Sequence, residues 1–90
     1  MGVSITMRPG TVMRSKGGPV DITPGLRSRA ATILRTYWGD SPMEINRDDL
    51  DTLAKLANGA SVYASEDDNI WLKIMSAVNE HDACVIQMEY

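Results

Sequence analysis

His81 and Cys84 have the side chains whose types could bind a metal ion. They are the single histidine and the single cysteine of this 90-residue chain, and their spacing is that of an H-x-x-C motif. A structural zinc ion needs about four ligands, and no second cysteine or histidine is present to supply them. Cys84 also alternates with apolar residues, and cysteine is among the most buried residue types. We therefore interpret Cys84 as a buried structural residue and expect no metal ion.

The same scarcity of reactive side chains argues against catalysis. A nucleophile needs a base, and the base needs an orienting group, so a Ser-His-Asp arrangement would have to use His81. Lys16 precedes a pair of glycines, whereas a phosphate-binding loop has its lysine after the glycines. The acidic runs at 48–49 and 66–68 stand where helices are predicted to begin, and the helix dipole is sufficient reason for them there. The sequence thus predicts a protein that is not an enzyme and has no cofactor.

Charge is distributed unevenly along the chain. Residues 1–38 hold six basic residues and one acidic residue, a net charge of +5, whereas residues 39–90 hold three basic and eleven acidic residues, a net charge of −8. The two halves either neutralise each other in the fold or present a basic face to an acidic partner, or an acidic face to a basic one. The residues that we predict to bind a partner are Arg14, Lys16, Arg27, Arg35 and, as an aromatic anchor, Trp38.

Composition places the chain among ordinary globular domains. Apolar residues make up 43% of it and charged residues 23%, which excludes a disordered acidic tail or a low-complexity chain. No window approaches the roughly 18 apolar residues of a membrane-spanning helix, and no signal-peptide pattern is visible at the start. One cysteine without an export signal indicates a reducing compartment, so we expect a cytoplasmic location.

The elements that must position these residues begin with a Gly- and Pro-rich arm, residues 1–23, which is predicted to hold one or two short strands. Residues 3–8 alternate between apolar and polar types, as in a half-buried strand. A short return strand is predicted over 11–14, after a Pro-Gly pair whose twist does not suit a tight two-residue hairpin. We expect residues 9–19 to be the most mobile, because glycine and proline leave few backbone hydrogen bonds there.

The remainder, residues 24–90, is predicted to complete a single domain as its compact core. Apolar residues at helical spacing, with N-cap residues and terminal glycines, indicate three helices. The first helix is predicted to have Thr23 as its N-cap and Pro24 as its first residue, and to stop at Gly39. The second has Asn46 as its N-cap and is ended by Gly59. The third starts at Ser65, in a capping-box pattern with Asp68, and ends near His81, and strands are predicted over 42–45 and 83–90.

We therefore expect an α+β fold, in which a three-helix cluster packs on a small, mostly antiparallel sheet in the order β(β)-α-β-α-α-β, with a C-terminal strand. Predicted core residues are Leu34, Leu53, Ile74 and Ile86. We also expect most of the large aromatic residues (Tyr37, Trp38, Tyr63 and Trp71) to be buried. Met7, Met13 and Met88 either fill gaps in packing, which we favour, or form an adaptable binding surface.

The function that fits this profile is a small non-catalytic protein-protein interaction module, either an adaptor, an inhibitor or a regulatory subunit. One alternative is a nucleic-acid-binding protein that uses the basic N-terminal half. The other is an acidic inhibitor of a nucleic-acid enzyme, such as a phage-type anti-defence protein. The expected partner is another protein, with nucleic acid less favoured, no membrane, and a homodimer left open.

Overall fold

The fold is α+β, as predicted. A computed structural model describes residues 3–24 and 29–89, which form a four-stranded sheet and three helices. The strands are β1 (Ser4–Pro9), β2 (Val20–Asp21), β3 (Met43–Asn46) and β4 (Ala83–Glu89), and the helices are α1 (Ala30–Trp38), α2 (Leu50–Ala60) and α3 (Ile70–His81). Single 3₁₀ turns, Arg47–Asp49 and Glu66–Asp68, precede α2 and α3.

The C-terminal strand lies inside the sheet. The strand order is β2-β1-β4-β3, and every pairing is antiparallel. β4 pairs with β1 over six residues, from Ser4 opposite Glu89 to Pro9 opposite Cys84. Val85 interrupts the predicted alternation, yet it is only 1% exposed, because Arg8 and Glu44 of the neighbouring strands flank it on the face away from the core.

The helices cover the other face of the sheet, where the core forms. The four residues predicted from helical and strand periodicity, Leu34, Leu53, Ile74 and Ile86, are all fully buried, so the predicted helix phases are confirmed. Asn69 is the buried polar residue that joins two of the helices. Its side-chain amide donates a hydrogen bond to the carbonyl of Ala57 in α2, at 3.0 Å, while its oxygen accepts from the N–H of Trp71 in α3.

The start of the first helix was predicted wrongly. α1 begins at Ala30, not at Pro24, and Arg29 occupies the N-cap position. Thr23 does not act as an N-cap, because its hydroxyl oxygen accepts the backbone N–H of Ile5 at 2.9 Å and is held against strand β1. Leu26, an apolar residue near the start of the predicted helix, lies outside the described residues.

Two further helix boundaries also differ from expectation. Ser65 donates its hydroxyl to the Asp68 carboxylate and caps no helix, so the predicted capping box is wrong and Asn69 is the N-cap of α3. α2 runs through Gly59 to Ala60. Asn46 caps as predicted and forms a reciprocal capping box, but the turn that it caps is the 3₁₀ turn Arg47–Asp49. α2 itself begins at Leu50, with Asp49 at its N-cap position.

The N-terminal arm is part of the sheet. It contributes β1, in the interior, and β2, at one edge, so both strands allowed for in 1–23 are present. The second of them is Val20–Asp21, however, and the return strand predicted over 11–14 is wrong.

Several large side chains are less buried than expected. Tyr37 is 58% exposed, Tyr63 71% and Met13 90%, although Trp71 and Met88 are buried as predicted.

Replacing Leu53 with alanine tests the core. Leu53, in α2, is fully buried in the core, so removing its side chain leaves a cavity, and we expect the free energy of unfolding to fall by about 2–5 kcal/mol. Denaturant titration measures it. The matched control is Leu72→Ala on the partly exposed side of α3, which should cost under about 1 kcal/mol. Equal losses for the two variants would contradict the packing described.

Candidate interaction surface

A small hairpin spanning residues 9–16 follows β1, and its backbone is closed by several hydrogen bonds. Thr11 and Arg14 exchange a pair of them, with N···O distances of 3.1 and 3.2 Å. Gly10 and Ser15 form an antiparallel bridge, and the N–H of Lys16 donates to the carbonyl of Pro9 at 2.9 Å. The tip therefore consists of residues 12–13, and the Pro-Gly pair stands at the base of the hairpin, not at its turn.

Gly10 is required at that base. Its φ of +98° lies in the left-handed region, which L side chains rarely adopt. A Cβ atom at this position would also stand 2.2 Å from the carbonyl oxygen of Arg14 on the opposite arm of the hairpin. The hairpin can close only because residue 10 has no side chain.

Two hydrogen bonds fix the hairpin to the sheet. The N–H of Gly10 donates to the carbonyl of Ala83, the first residue of β4, at 2.9 Å. The N–H of Val12 donates to the carboxylate Oε1 of Glu44 in β3, at 3.0 Å. We expected residues 9–19 to have few backbone hydrogen bonds. This is wrong for the hairpin and holds only for residues 17–19.

The tip of this fixed hairpin carries apolar side chains into solvent. Met13 is 90% exposed and Val12 49%, so Met13 does not fill a packing gap as expected. Arg14 and Lys16 are exposed beside them. Within the described part of the chain, neither basic side chain forms a hydrogen bond or an ion pair. The surface thus combines two exposed apolar residues with two exposed cations on a backbone that is closed by hydrogen bonds.

The other predicted site residues lie elsewhere. Arg35 is exposed in the last turn of α1, Trp38 is half-buried against the core at the end of that helix, and Arg27 lies outside the described residues. The segment after α1 reaches the far end of β4, where Ser41 donates its hydroxyl to the carbonyl of Met88. That point is five residues from Ala83, or about 17 Å along the strand. The structure therefore brings Arg14 and Lys16 together and separates them from Arg35 and Trp38.

An ion pair beside the hairpin joins the two helix-strand junctions. Arg47, after β3, donates its Nε to the Asp82 carboxylate at 2.6 Å and its Nη2 to the carbonyl of Asn79 near the end of α3. Asp82 ends α3 with a φ of 71°. The hydrogen bond from Arg47 and then its charge lower the pKa of Asp82, with smaller contributions from Lys16 and His81. No pattern in the sequence singled out this pair, whose members are 35 residues apart.

The chemistry available at His81 and Cys84 is limited. Cys84 is fully buried, as predicted, and burial raises the pKa of its thiol to about 12, so the thiol stays protonated at neutral pH. His81 lies 3.8 Å from the Glu80 carboxylate, measured from its Nε2. Across the described ranges, no group of three or more His, Cys, Asp or Glu side chains is arranged to hold a metal ion.

An open groove is also present along α3. Its lining residues are Leu72, Met75, Ser76, Asn79 and Glu80. All five belong to one helix, and none of them is displayed away from the body of the protein as the hairpin tip is. The hairpin is for this reason the stronger candidate.

Neither the family models, nor the curated proteins, nor the solved structures with which the chain was compared gave a match. In residues 3–24 and 29–89, no helix has both the length and the apolar character needed to cross a membrane. The assignment of the surface rests on its geometry.

Replacing Gly10 with alanine should open the hairpin. The new Cβ would meet the Arg14 carbonyl, and the backbone would be strained by roughly 1–3 kcal/mol. We expect the amide protons of Thr11, Arg14 and Lys16 to lose protection from hydrogen exchange. The control is Gly17→Ala, where a Cβ meets open space. Unchanged protection in the Gly10 variant would show that the hairpin is not closed as described.

The ion pair should make stability depend on pH. The folded pKa of Asp82 is lowered from its ordinary value of 3.8, so the pair stabilises the fold above that value and its contribution is lost as pH falls through the folded pKa. Arg47→Gln should therefore unfold at lower denaturant than the wild type at pH 7, and this difference should narrow below about pH 4. The control is Lys55→Gln, which changes an exposed side chain of α2. If the difference in stability between the wild type and the Arg47 variant did not change with pH, the ion pair with Asp82 would contribute nothing, and the loss would come only from the hydrogen bond to the carbonyl of Asn79.

Proposed function

We propose that this protein is a non-catalytic protein-binding module, and that the hairpin is its contact surface for an acidic patch on a partner protein. The observation that carries the proposal is the exposure of Met13 and Val12 to solvent beside the exposed cations of Arg14 and Lys16. Met and Arg are enriched at protein interfaces, where an apolar anchor surrounded by charges is a common arrangement.

The rigidity of the hairpin supports this role. Ordering a mobile loop on binding costs about 0.5–1.5 kcal/mol for each immobilised side chain, in addition to the cost of the backbone. Here the backbone is already fixed by bonds to Ala83 and Glu44. Binding would then order only the side chains at the tip, so a small contact area still gives measurable affinity.

The chemistry of the tip favours a protein over a nucleic acid. Sequence-tolerant nucleic-acid surfaces stack bases on aromatic side chains along a basic groove. The hairpin presents aliphatic and thioether groups instead, and the carboxylates of Glu44 and Asp82 lie beside it. These carboxylates would repel a continuous phosphate backbone, whereas a protein surface with one or two acidic residues can avoid them.

The proposal covers an adaptor, an inhibitor or a regulatory subunit, acting in the cytoplasm. The single cysteine supports the cytoplasmic location, because it has no partner for a disulfide bond within the sequence and disulfides are rare in the reducing cytoplasm. Arg35 and Trp38 remain predicted contacts, and they would belong to a separate surface.

Capture from a lysate of the native host tests the proposal. Immobilised wild type should retain a protein partner with and without nuclease treatment, and Arg14→Glu with Lys16→Glu should weaken its retention at least about tenfold, or roughly 1.4 kcal/mol. Met13→Ser should weaken it too. All variants should melt at nearly the wild-type temperature, since these side chains are exposed.

Matched controls use similar exposed residues away from the hairpin. Lys55→Glu reverses an exposed charge on α2, and Val20→Ser removes an apolar side chain that is 55% exposed on β2. Both should retain the partner. Equal capture by the hairpin variants and the controls would refute the assignment of the surface, and loss of the captured protein after nuclease treatment would point to nucleic acid instead.

A further inference from the structure

A second exposed apolar pair lies on the turn after α2, which we call the acidic turn, residues 61–68. Val62 is 86% exposed and Tyr63 71%. The backbone beneath them is fixed, since the N–H groups of Tyr63 and Ala64 both donate to the carbonyl of Ala60, at 3.0 and 2.8 Å. Three carboxylates, at residues 66–68, follow immediately. This turn therefore resembles the hairpin in its exposed apolar pair and differs from it in the sign of its charge.

The charges of the hairpin and of the acidic turn form no ion pair with each other within the described part of the molecule. Among the described residues, Glu66 and Asp67 form no ion pair or side-chain hydrogen bond, as is also true of Arg14 and Lys16. The hairpin and the acidic turn therefore each hold charged side chains that form no ion pair, next to exposed apolar side chains, although the charge of Lys16 also acts on Asp82.

The positions of the two surfaces prevent them from meeting in one molecule. The hairpin is fixed at Ala83, the end of the sheet from which α2 departs and to which α3 returns. The acidic turn lies at the other end of this helix pair, and the 11 residues of α2 span about 16 Å. Contact between them requires a second molecule.

We propose that the hairpin of one copy of this chain docks on the acidic turn of a second copy. This inference rests on the proposed function, because it names the partner of the same hairpin. The sulfur of Met13 would contact the ring of Tyr63, a favourable pairing, and Arg14 and Lys16 would face Glu66 and Asp67. Charge and apolar character are complementary on both sides of this contact.

The contact joins two different surfaces, so it is head-to-tail. Such contacts leave one free hairpin and one free turn in every dimer and generate open chains or rings. The surfaces are small, so we expect weak association, in the range of about 0.1–1 mM. It should depend on salt, because the Debye length falls from about 10 Å at 0.1 M to about 3 Å at 1 M ionic strength.

Sedimentation of the purified protein and two charge-reversed variants tests this. One variant is Arg14→Glu with Lys16→Glu, and the other is Glu66→Lys with Asp67→Lys, which leaves the Asp68 bond to Ser65 intact. Wild type should associate at low salt and weaken at least about tenfold at 1 M salt. Each variant alone should be monomeric, and an equimolar mixture should associate again, because the hairpin of one and the turn of the other are complementary.

The outcomes separate the two proposals. A wild type that stays monomeric to about 1 mM, or monomeric variants whose mixture does not associate, overturns head-to-tail docking. Retention of a different protein from the lysate by the hairpin would then leave the proposed function standing. Amide shifts that move with concentration at residues 12–16 and 62–67 together support docking, whereas shifts at the hairpin alone indicate a symmetric contact and overturn it. The control variant Lys55→Glu, which reverses an exposed charge on α2, should associate like the wild type.

Discussion

The pairing of β1 with β4 is the constraint on which the rest of the structure depends. It joins the first described strand of the chain to the last over six residues and places both in the interior of the sheet. The helices pack on one face of this pair, where Ile5, Ile86 and Met88 form part of the core. The hairpin depends on it as well, because the bond from Gly10 to Ala83 continues the β1–β4 ladder by one residue.

The same pairing incorporates the N-terminal segment into the sheet. A segment rich in glycine and proline lacks helix propensity, and alone it would be flexible. Here its backbone groups bond to β4, to Glu44 and to each other. Gly10 favours this order, since its positive φ and missing side chain allow the two arms of the hairpin to approach.

Charged and exposed apolar side chains lie side by side at the hairpin and at the acidic turn. An exposed ion pair contributes about 0–1 kcal/mol, so charges alone would make a weak contact. Apolar side chains displayed beside unpaired charges add a term that does not fade with salt. That combination occurs at the hairpin and at the acidic turn, at opposite ends of the α2–α3 pair.

The sequence by itself determined the fold class, the phase of each helix and the four core residues, because periodicity reports which side of an element is apolar. It also determined the charge asymmetry. Only the tertiary structure decided where α1 and α3 begin, since Thr23 and Ser65 have the types of N-cap residues but bond to Ile5 and Asp68 instead. It alone decided that Arg14 and Lys16 lie far from Trp38, and that Met13 is exposed, because these depend on pairings between residues distant in sequence, which local patterns do not encode.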